Sequence, residues 1–279
     1  MKPGRASQTA LRVAIRRAAH QLVDLPPVLD DPIALPLLGN GYKRDLERAM
    51  HRVARDFRGF MAARTRYVED RLAYAVANGI VQYVILGAGL DTFAYRNPFP
   101  TLRVFEVDFP ATQAWKQRKL AEAGIAVPDG LTFVPLDLEH KQLAEGLAEA
   151  GFDSGMPAFF SWVGIVPYLT IDGFRATLAT VGGLPHGTGI VFDTVDAPDT
   201  LTPPRRKIFD GLSKRLAAAG EPLRLFLSPR ELEHELRRAG FDRTEQVGIE
   251  QLNELYFRNR ADGLRLSPSG VGTLVCAWV

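Results

Sequence analysis

Short apolar runs separated by helical patterns organise the chain from residue 80 onward. Strands are predicted at Val81–Leu86, Leu102–Val107, Leu131–Pro135, Ala158–Trp162, Gly189–Phe192, Arg243–Ile249 and Thr273–Trp278. Between them, apolar positions at helical spacing predict helices over Ala111–Ala123, Glu139–Ala150, Asp172–Val181, Pro204–Ala219, Pro229–Ala239 and Glu250–Phe257. Ser228-Pro229 supplies an N-cap followed by proline at the first helical position, and Gly240 supplies a stop. Strands alternating with helices imply a doubly wound α/β domain, its sheet mostly parallel and covered on both faces. The region before residue 80 reads differently. An amphipathic helix runs through Leu11, Ala14, Ile15, Ala18 and Leu22, a Pro- and Gly-broken stretch follows to Asn40, and a long helix spans Asp45 to Ala77, with Gly59 as the candidate interruption. Residues 1–78 are expected to form a helical cap and residues 79–279 the sheet domain, in one compact unit.

Composition narrows the functional classes. The 279 residues are 46% hydrophobic and 24% charged, ample for a packed core. Lys and Arg total 34 against 32 Asp and Glu, and a net charge of +2 lacks the electrostatic footprint of a nucleic-acid binder. Cys276 is the single cysteine, so no internal disulfide forms and a reducing compartment fits. No apolar run approaches the roughly 18 residues that a spanning helix needs. A soluble, cytoplasmic protein with no membrane or nucleic-acid partner is the expectation. Lys2, Arg5, Arg12, Arg16 and Arg17 precede the first acid, Asp24, a bias that targeting peptides share. An amphipathic helix packed on the domain is the reading adopted.

In a doubly wound sheet, ligands bind beyond the carboxyl ends of the strands, where the strand order reverses. The first strand runs into Gly87-Ala88-Gly89-Leu90-Asp91-Thr92. Two glycines permit a tight turn and close approach of backbone to ligand. A dinucleotide fingerprint needs a third glycine, and Thr92 stands there. Asp91 would repel a pyrophosphate and attract an ammonium or sulfonium group; a capping role is the bland alternative. The second strand ends Phe105-Glu106-Val107-Asp108, placing acids 19 and 21 residues beyond Gly87, where a ribose offers two hydroxyls. The third runs into Asp137-Leu138, suited to the edge and face of an adenine, although Asp137 could equally cap the next helix. On the long helix, Arg64 has Phe60 and Val68 as neighbours four residues either side, and lies 18 residues, five turns, after Leu46. A guanidinium pointing where apolar side chains point requires an anion, from the protein or from a ligand. A carboxylate, a cationic centre, a ribose and an adenine together describe S-adenosylmethionine.

The segments Ala63-Arg64-Thr65-Arg66-Tyr67-Val68-Glu69-Asp70, Leu86-Gly87-Ala88-Gly89-Leu90-Asp91-Thr92, Phe105-Glu106-Val107-Asp108-Phe109-Pro110, Leu136-Asp137-Leu138 and Phe160–Thr170 resemble the leucine carboxyl methyltransferase family. The resemblance is strongest over residues 25–180. It implies a Rossmann-like class I methyltransferase sheet that binds S-adenosylmethionine and releases S-adenosylhomocysteine. It places the methionine carboxylate on Arg64, the methionine part on Gly87 and Gly89 beside Asp91, the ribose on Asp108 with Glu106 adjoining, and the adenine on Asp137 and Leu138. Many members carry a glutamate after the fourth strand; here Val163 stands at that position.

The acceptor implied is a small-molecule carboxylate or hydroxyl. A carboxylate needs no base at neutral pH, whereas a phenol would benefit from one. No base stands out: His20, His51, His140, His186 and His234 have no evident partner. Tyr67, Trp162 and Tyr168 are candidate pocket aromatics, Tyr256, Arg258 and Arg260 could line an acceptor site, and the N-terminal helices are expected to act as a lid. HExxH and paired-Cys patterns are absent, so no metal site is expected. Two other readings stay open on sequence: an NAD(P)-dependent oxidoreductase, and a catalytically silent binding protein on the same fold.

Overall fold

A computed structural model describes residues 7–137, 142–218, 220–268, 270 and 272–279. Its sheet contains β1 (Gln82–Leu86), β2 (Arg103–Asp108), β3 (Leu131–Pro135), β4 (Phe159–Trp162), β5 (Gly189–Val195), β6 (Arg243–Val247) and β7 (Gly272–Trp278). The spatial order is β3-β2-β1-β4-β5-β7-β6. Strands β1 to β5 pair in parallel, whereas β7 runs antiparallel to both β5 and β6. The sequence accounts for these positions. Gln-Tyr-Val-Ile-Leu of β1 is buried throughout, as a central strand covered on two faces must be. Arg-Thr-Glu-Gln-Val of β6 is exposed except at Val247, and its charges suit a sheet edge. Every expected strand is present, with ends shifted by no more than a few residues.

Alternate side chains enter two cores, as the period of a strand requires. On one face Tyr83, Ile85, Val104 and Cys276 pack with Ala63, Val68 and Leu72 of α4 (Arg55–Ala77) and Leu252 of α10 (Ile249–Tyr256). On the other, Val84, Leu86, Phe105 and Phe160 meet α6 (Leu143–Glu149), α7 (Ile171–Gly182) and α9 (Pro229–Arg238) through Leu147, Phe174, Leu178, Leu232 and Leu236. Ser228 caps α9 in a reciprocal box with Glu231, and Pro229 opens the helix. The remaining helices are α5 (Pro110–Glu122) and α8 (Pro203–Ala218). Among the described residues no helix is long and apolar enough to cross a membrane.

Among the described residues before 79, the first three helices pack together. They are α1 (Gln8–Val23), α2 (Ala34–Leu38) and α3 (Lys43–Met50), joined through Ile15, Ala18, Ala19, Ala34, Leu38 and Ala49. Helix α4 lies between them and the sheet, its apolar face packed on the strands. The expected long helix is also two helices. It breaks at His51, whose backbone is extended and whose Nδ1 accepts the Val53 N–H at 3.3 Å, ahead of a short 3-10 turn. Gly59 lies inside α4 without interrupting it. A Cβ there would sit 3.2 Å from Leu266 and 3.4 Å from Leu264, so glycine lets that loop pack close to the helix.

A buried polar cluster fastens cap to domain. His20 Nε2 accepts the Val28 N–H at 2.9 Å, so Nδ1 carries the proton and donates to Asp24 at 2.9 Å. Asp24 also receives Nε and Nη2 of Arg58, on α4, at 2.6 and 2.7 Å. Burial alone would raise the Asp24 carboxyl, but the bonds from Arg58 and His20 outweigh it and hold it at about 2.

Candidate functional site

The chain leaves β1 through Gly87 and Gly89, with φ of +69° and +50°. Side chains at either would collide with the surroundings: a Cβ at Gly87 would meet Ile165 at 2.5 Å, and one at Gly89 would meet Ala10 of α1 at 2.9 Å. The N–H groups of Gly87 and Ala88 donate to the Val107 carbonyl at 2.8 and 3.1 Å, tying the loop to the end of β2. Asp108 completes that tie. Its carboxylate accepts the Gly89 N–H on one oxygen and the Phe109 N–H on the other, the latter at 2.6 Å. Asp91 accepts the Phe93 N–H at 2.8 Å, and its second oxygen lies 4.0 Å from Arg17.

The loop mouth is therefore acidic. Burial raises the Asp108 carboxyl above its ordinary range, against the pull of the two backbone N–H groups. Glu106 is fully buried, and burial pushes it up to about 7 although Lys116 Nζ lies 2.6 Å away; Asp91 and Asp108 add to the rise. Its carboxylate is engaged by Lys116 beneath the loop, so Asp108 is the acid at the surface of the strand end. Glu106 Oε1 and the Tyr95 hydroxyl are buried without hydrogen-bond partners in this layer.

Arg64 reaches the mouth from α4. It is 6% exposed, and its Nη1 donates to Asp193 Oδ2 at 2.7 Å. Asp193 Oδ1 accepts the Gly164 N–H at 2.5 Å. Gly164 is packed so closely beneath the guanidinium that a Cβ would lie 3.2 Å from Nη1. Arg64 Nε is buried with no partner, which leaves unused donor capacity for an anion. A buried guanidinium needs an anion, and the protein partner of Arg64 is Asp193. The five-turn count from Leu46 does not apply, because the helix is broken at His51; the Val68 neighbour alone indicates burial.

Two of the three expected pocket aromatics point elsewhere. Tyr67 is fully buried in the α4-side core and donates to Glu245 on β6 at 3.2 Å. Trp162 is fully buried on the other face, stacked on Phe174 at 5.7 Å and 11°. Both obey the strand and helix periods that place apolar rings in the core. Tyr168 remains half-buried beside the site. Burial, with Glu221 and Asp193 nearby, pushes its hydroxyl up to about 12, so it is no base at neutral pH. At the end of α10 Tyr256 donates to Asp70 at 2.8 Å, and in the loop that follows Arg260 pairs with Asp262 at 2.6 Å, so neither is free for an acceptor. Val163 packs partly buried against the α4-side core. Asp137 follows β3, half-buried; Leu138 lies outside the described residues.

Several partners were not foreseen. Asp193 directly follows the expected strand Gly189–Phe192, as Asp108 follows Leu102–Val107, and it lies within β5. A second polar layer supports the loop: Arg17 of α1 bonds the Leu90 carbonyl and meets Asp31 at 2.8 Å, Asp31 accepts from Thr92 at 2.7 Å, and Arg96 pairs with Glu69. These contacts join residues far apart in sequence, so no local spacing announces them.

A glycine turn flanked by carboxylates, at the point where β1 and β4 diverge, suits a ligand with a cationic centre. It does not fit a diphosphate, which would meet Asp91 and Asp108. The fold agrees: a methyltransferase structure from Thermobifida fusca aligns over 99% of this chain and 96% of its own, with a TM-score of 0.61 and 16% identity. Magnesium protoporphyrin IX methyltransferase from Synechocystis aligns over 87% and 90%, with a TM-score of 0.50 and 12% identity. This is a class I methyltransferase fold. YktD of Bacillus subtilis, provisionally named an S-adenosyl-L-methionine-dependent methyltransferase, is 32% identical over 95% of both chains. A similarly named protein of Saccharopolyspora erythraea is 32% identical over 67% of both. Residues 10–182 match the leucine carboxyl methyltransferase family, and the chain belongs to it. It is an S-adenosylmethionine-dependent methyltransferase.

Proposed function

We propose that this enzyme methylates a carboxylate or hydroxyl oxygen of a small molecule, at the mouth bounded by the glycine loop, the Gly164–Tyr168 turn and α1. Arg64 holds the methionine carboxylate through its spare donors, Gly87 and Gly89 leave room for the methionine part, Asp108 accepts from the ribose, and Asp137 borders the adenine. Asp91 and Glu106 add negative potential around the cationic centre. S-adenosylmethionine, when bound, supplies a methyl carbon activated by its sulfonium. The protein's own contribution is then to bind, to orient and to exclude water. Ala10 against Gly89 and Arg17 on the Leu90 carbonyl make α1 the covering element that excludes solvent.

The observation that carries this reading is the buried Arg64, whose Nε has no hydrogen-bond partner and whose guanidinium packs on Gly164, next to the Ile165 side chain that packs on Gly87. With the Tyr168 hydroxyl raised to about 12 and no base at neutral pH, an already ionised carboxylate is the easier acceptor. Thermal shifts with S-adenosylmethionine, S-adenosylhomocysteine, NAD and NADP test it in one plate, since a ligand specific for the folded state raises Tm. Stabilisation by the first two alone supports the assignment of the site. Stabilisation by the nicotinamide nucleotides alone would overturn it.

A further inference from the structure

Four consecutive residues of the glycine loop touch α1 or the segment that follows it. A Cβ at Gly89 would lie 2.9 Å from that of Ala10, and Arg17 Nη2 donates to the Leu90 carbonyl. Arg17 Nη1 lies 4.0 Å from Asp91 Oδ2, and Thr92 Oγ1 donates to Asp31 Oδ2 at 2.7 Å. Asp31 is fully buried ahead of α2. Its own place is fixed at the backbone: its N–H donates to Gln21 Oε1 of α1 at 2.9 Å, and its carbonyl accepts the Ala34 N–H at 3.1 Å.

Arg17 stands between two carboxylates and is not shared equally. Its Nε lies 2.8 Å from Asp31 Oδ2, whereas its approach to Asp91 stops at 4.0 Å. The nearer pair is the stronger by Coulomb's law, and its burial shields it from screening. Among the described residues no other cation lies within 4.0 Å of Asp91. The Phe93 N–H, donating to Asp91 Oδ1 at 2.8 Å, orients that carboxylate without neutralising it.

The neighbouring charges leave the same surplus. Arg96 Nη1 donates to Glu69 at 2.9 Å, and its Nε lies 3.6 Å from Asp31 Oδ1. Arg17 and Arg96 thus face three carboxylates, Asp31, Glu69 and Asp91. With Arg17 held by Asp31 and Arg96 by Glu69, the uncompensated negative charge falls on Asp91, at the mouth.

We propose that Asp31 is a positioning residue: by holding Arg17 back it keeps Asp91 unpaired, and so sets the preference of the mouth for a cationic ligand over its neutral counterpart. The inference rests on the S-adenosylmethionine reading of that mouth. Methyl transfer breaks the carbon–sulfur bond and leaves its electron pair on sulfur, so the sulfonium becomes a neutral thioether. S-adenosylmethionine therefore brings one positive charge more than S-adenosylhomocysteine. Without the Asp31 charge, Arg17 turns to Asp91 and neutralises it, which costs the methyl donor more than the product.

S-adenosylmethionine and S-adenosylhomocysteine, titrated calorimetrically and separately into the full chain, read this preference as the ratio of their Kd values. Asp31→Asn should weaken S-adenosylmethionine roughly tenfold more than S-adenosylhomocysteine. Adding Arg17→Gln to Asp31→Asn removes the neutralising charge and should return the ratio to its wild-type value. A residue that only braced the loop would weaken both ligands alike, and a second loss would not rescue it. Equal weakening in Asp31→Asn, or no recovery of the ratio in the double variant, overturns the proposal. Where Asp31→Asn fails to fold, Asp91→Asn carries the test, since asparagine still accepts the Phe93 N–H. Its ratio should shift in the same direction, and an unchanged ratio overturns the proposal. A wild-type chain that binds neither nucleoside strikes the S-adenosylmethionine reading itself, and the role of Asp31 falls with it.

Discussion

The Arg64 guanidinium meets the Asp193 carboxylate at 2.7 Å, with both side chains less than a tenth exposed. Asp193 in turn is anchored by the Gly164 N–H, so the pair spans α4, β5 and the turn after β4. A carboxylate already present keeps the arginine charged and oriented, and the unused Nε remains available to a second anion.

Arg64→Ala should weaken S-adenosylmethionine binding by about 1.5–3 kcal/mol, the range of a hydrogen bond to a charged group, or roughly ten- to a hundredfold in Kd. Asp193→Asn keeps an acceptor for Gly164 and removes the competing charge, so its affinity should match or exceed wild type. Calorimetry on both variants checks the pair. Equal loss in Asp193→Asn would mean that the two residues bind as a unit rather than in competition.

Asp108→Ala should reduce binding of adenosine itself, because the partner removed is the one assigned to the ribose. The same change frees the Gly89 N–H, so some loosening of the loop is expected. Adenosine and methionine titrated separately distinguish the effects: an effect confined to methionine would remove Asp108 from the ribose.

Glu106 makes stability depend on pH in an unusual direction. Its carboxyl titrates near 4.5 when unfolded and at about 7 when folded, so the native state holds a proton the unfolded state has lost across that window. Stability from this group is full below about 4.5 and declines as pH rises through about 7. Tm of the wild type should fall between about pH 5 and pH 8, and Glu106→Gln should flatten that decline. An unaltered slope in the variant would place the titration elsewhere.

Asp24 works oppositely. With its carboxyl held at about 2, it stabilises the fold above its ordinary pKa of 3.8, and that contribution is lost as pH falls through about 2. Asp24→Asn leaves Arg58 buried without its counter-ion, and urea unfolding should register a loss of about 3–5 kcal/mol. A change within error would show that Arg58 finds another anion.

Much of this was legible in the sequence because it is local. Short apolar runs fix β1 and β2, two glycines in close succession mark the turn after β1, and acids follow the apolar run of β2. What was not legible is tertiary. The helix breaks at His51, whereas Gly59 stays helical with Leu264 and Leu266 of a loop distant in sequence packed onto it. Tyr67 and Trp162 sit in motifs next to the site yet point into the two cores, since adjacency along a chain does not set side-chain direction. Asp193 and Arg17 find their partners only once the sheet and the cap have assembled.

The central measurement is calorimetric titration of the full chain with S-adenosylhomocysteine and, in parallel, with NAD. One-site binding of the sulfur nucleoside that weakens tenfold or more in both Arg64→Ala and Asp108→Ala, with no NAD binding, is the predicted result. Retention of full affinity in both folded variants, or NAD binding in place of the nucleoside, would contradict the account.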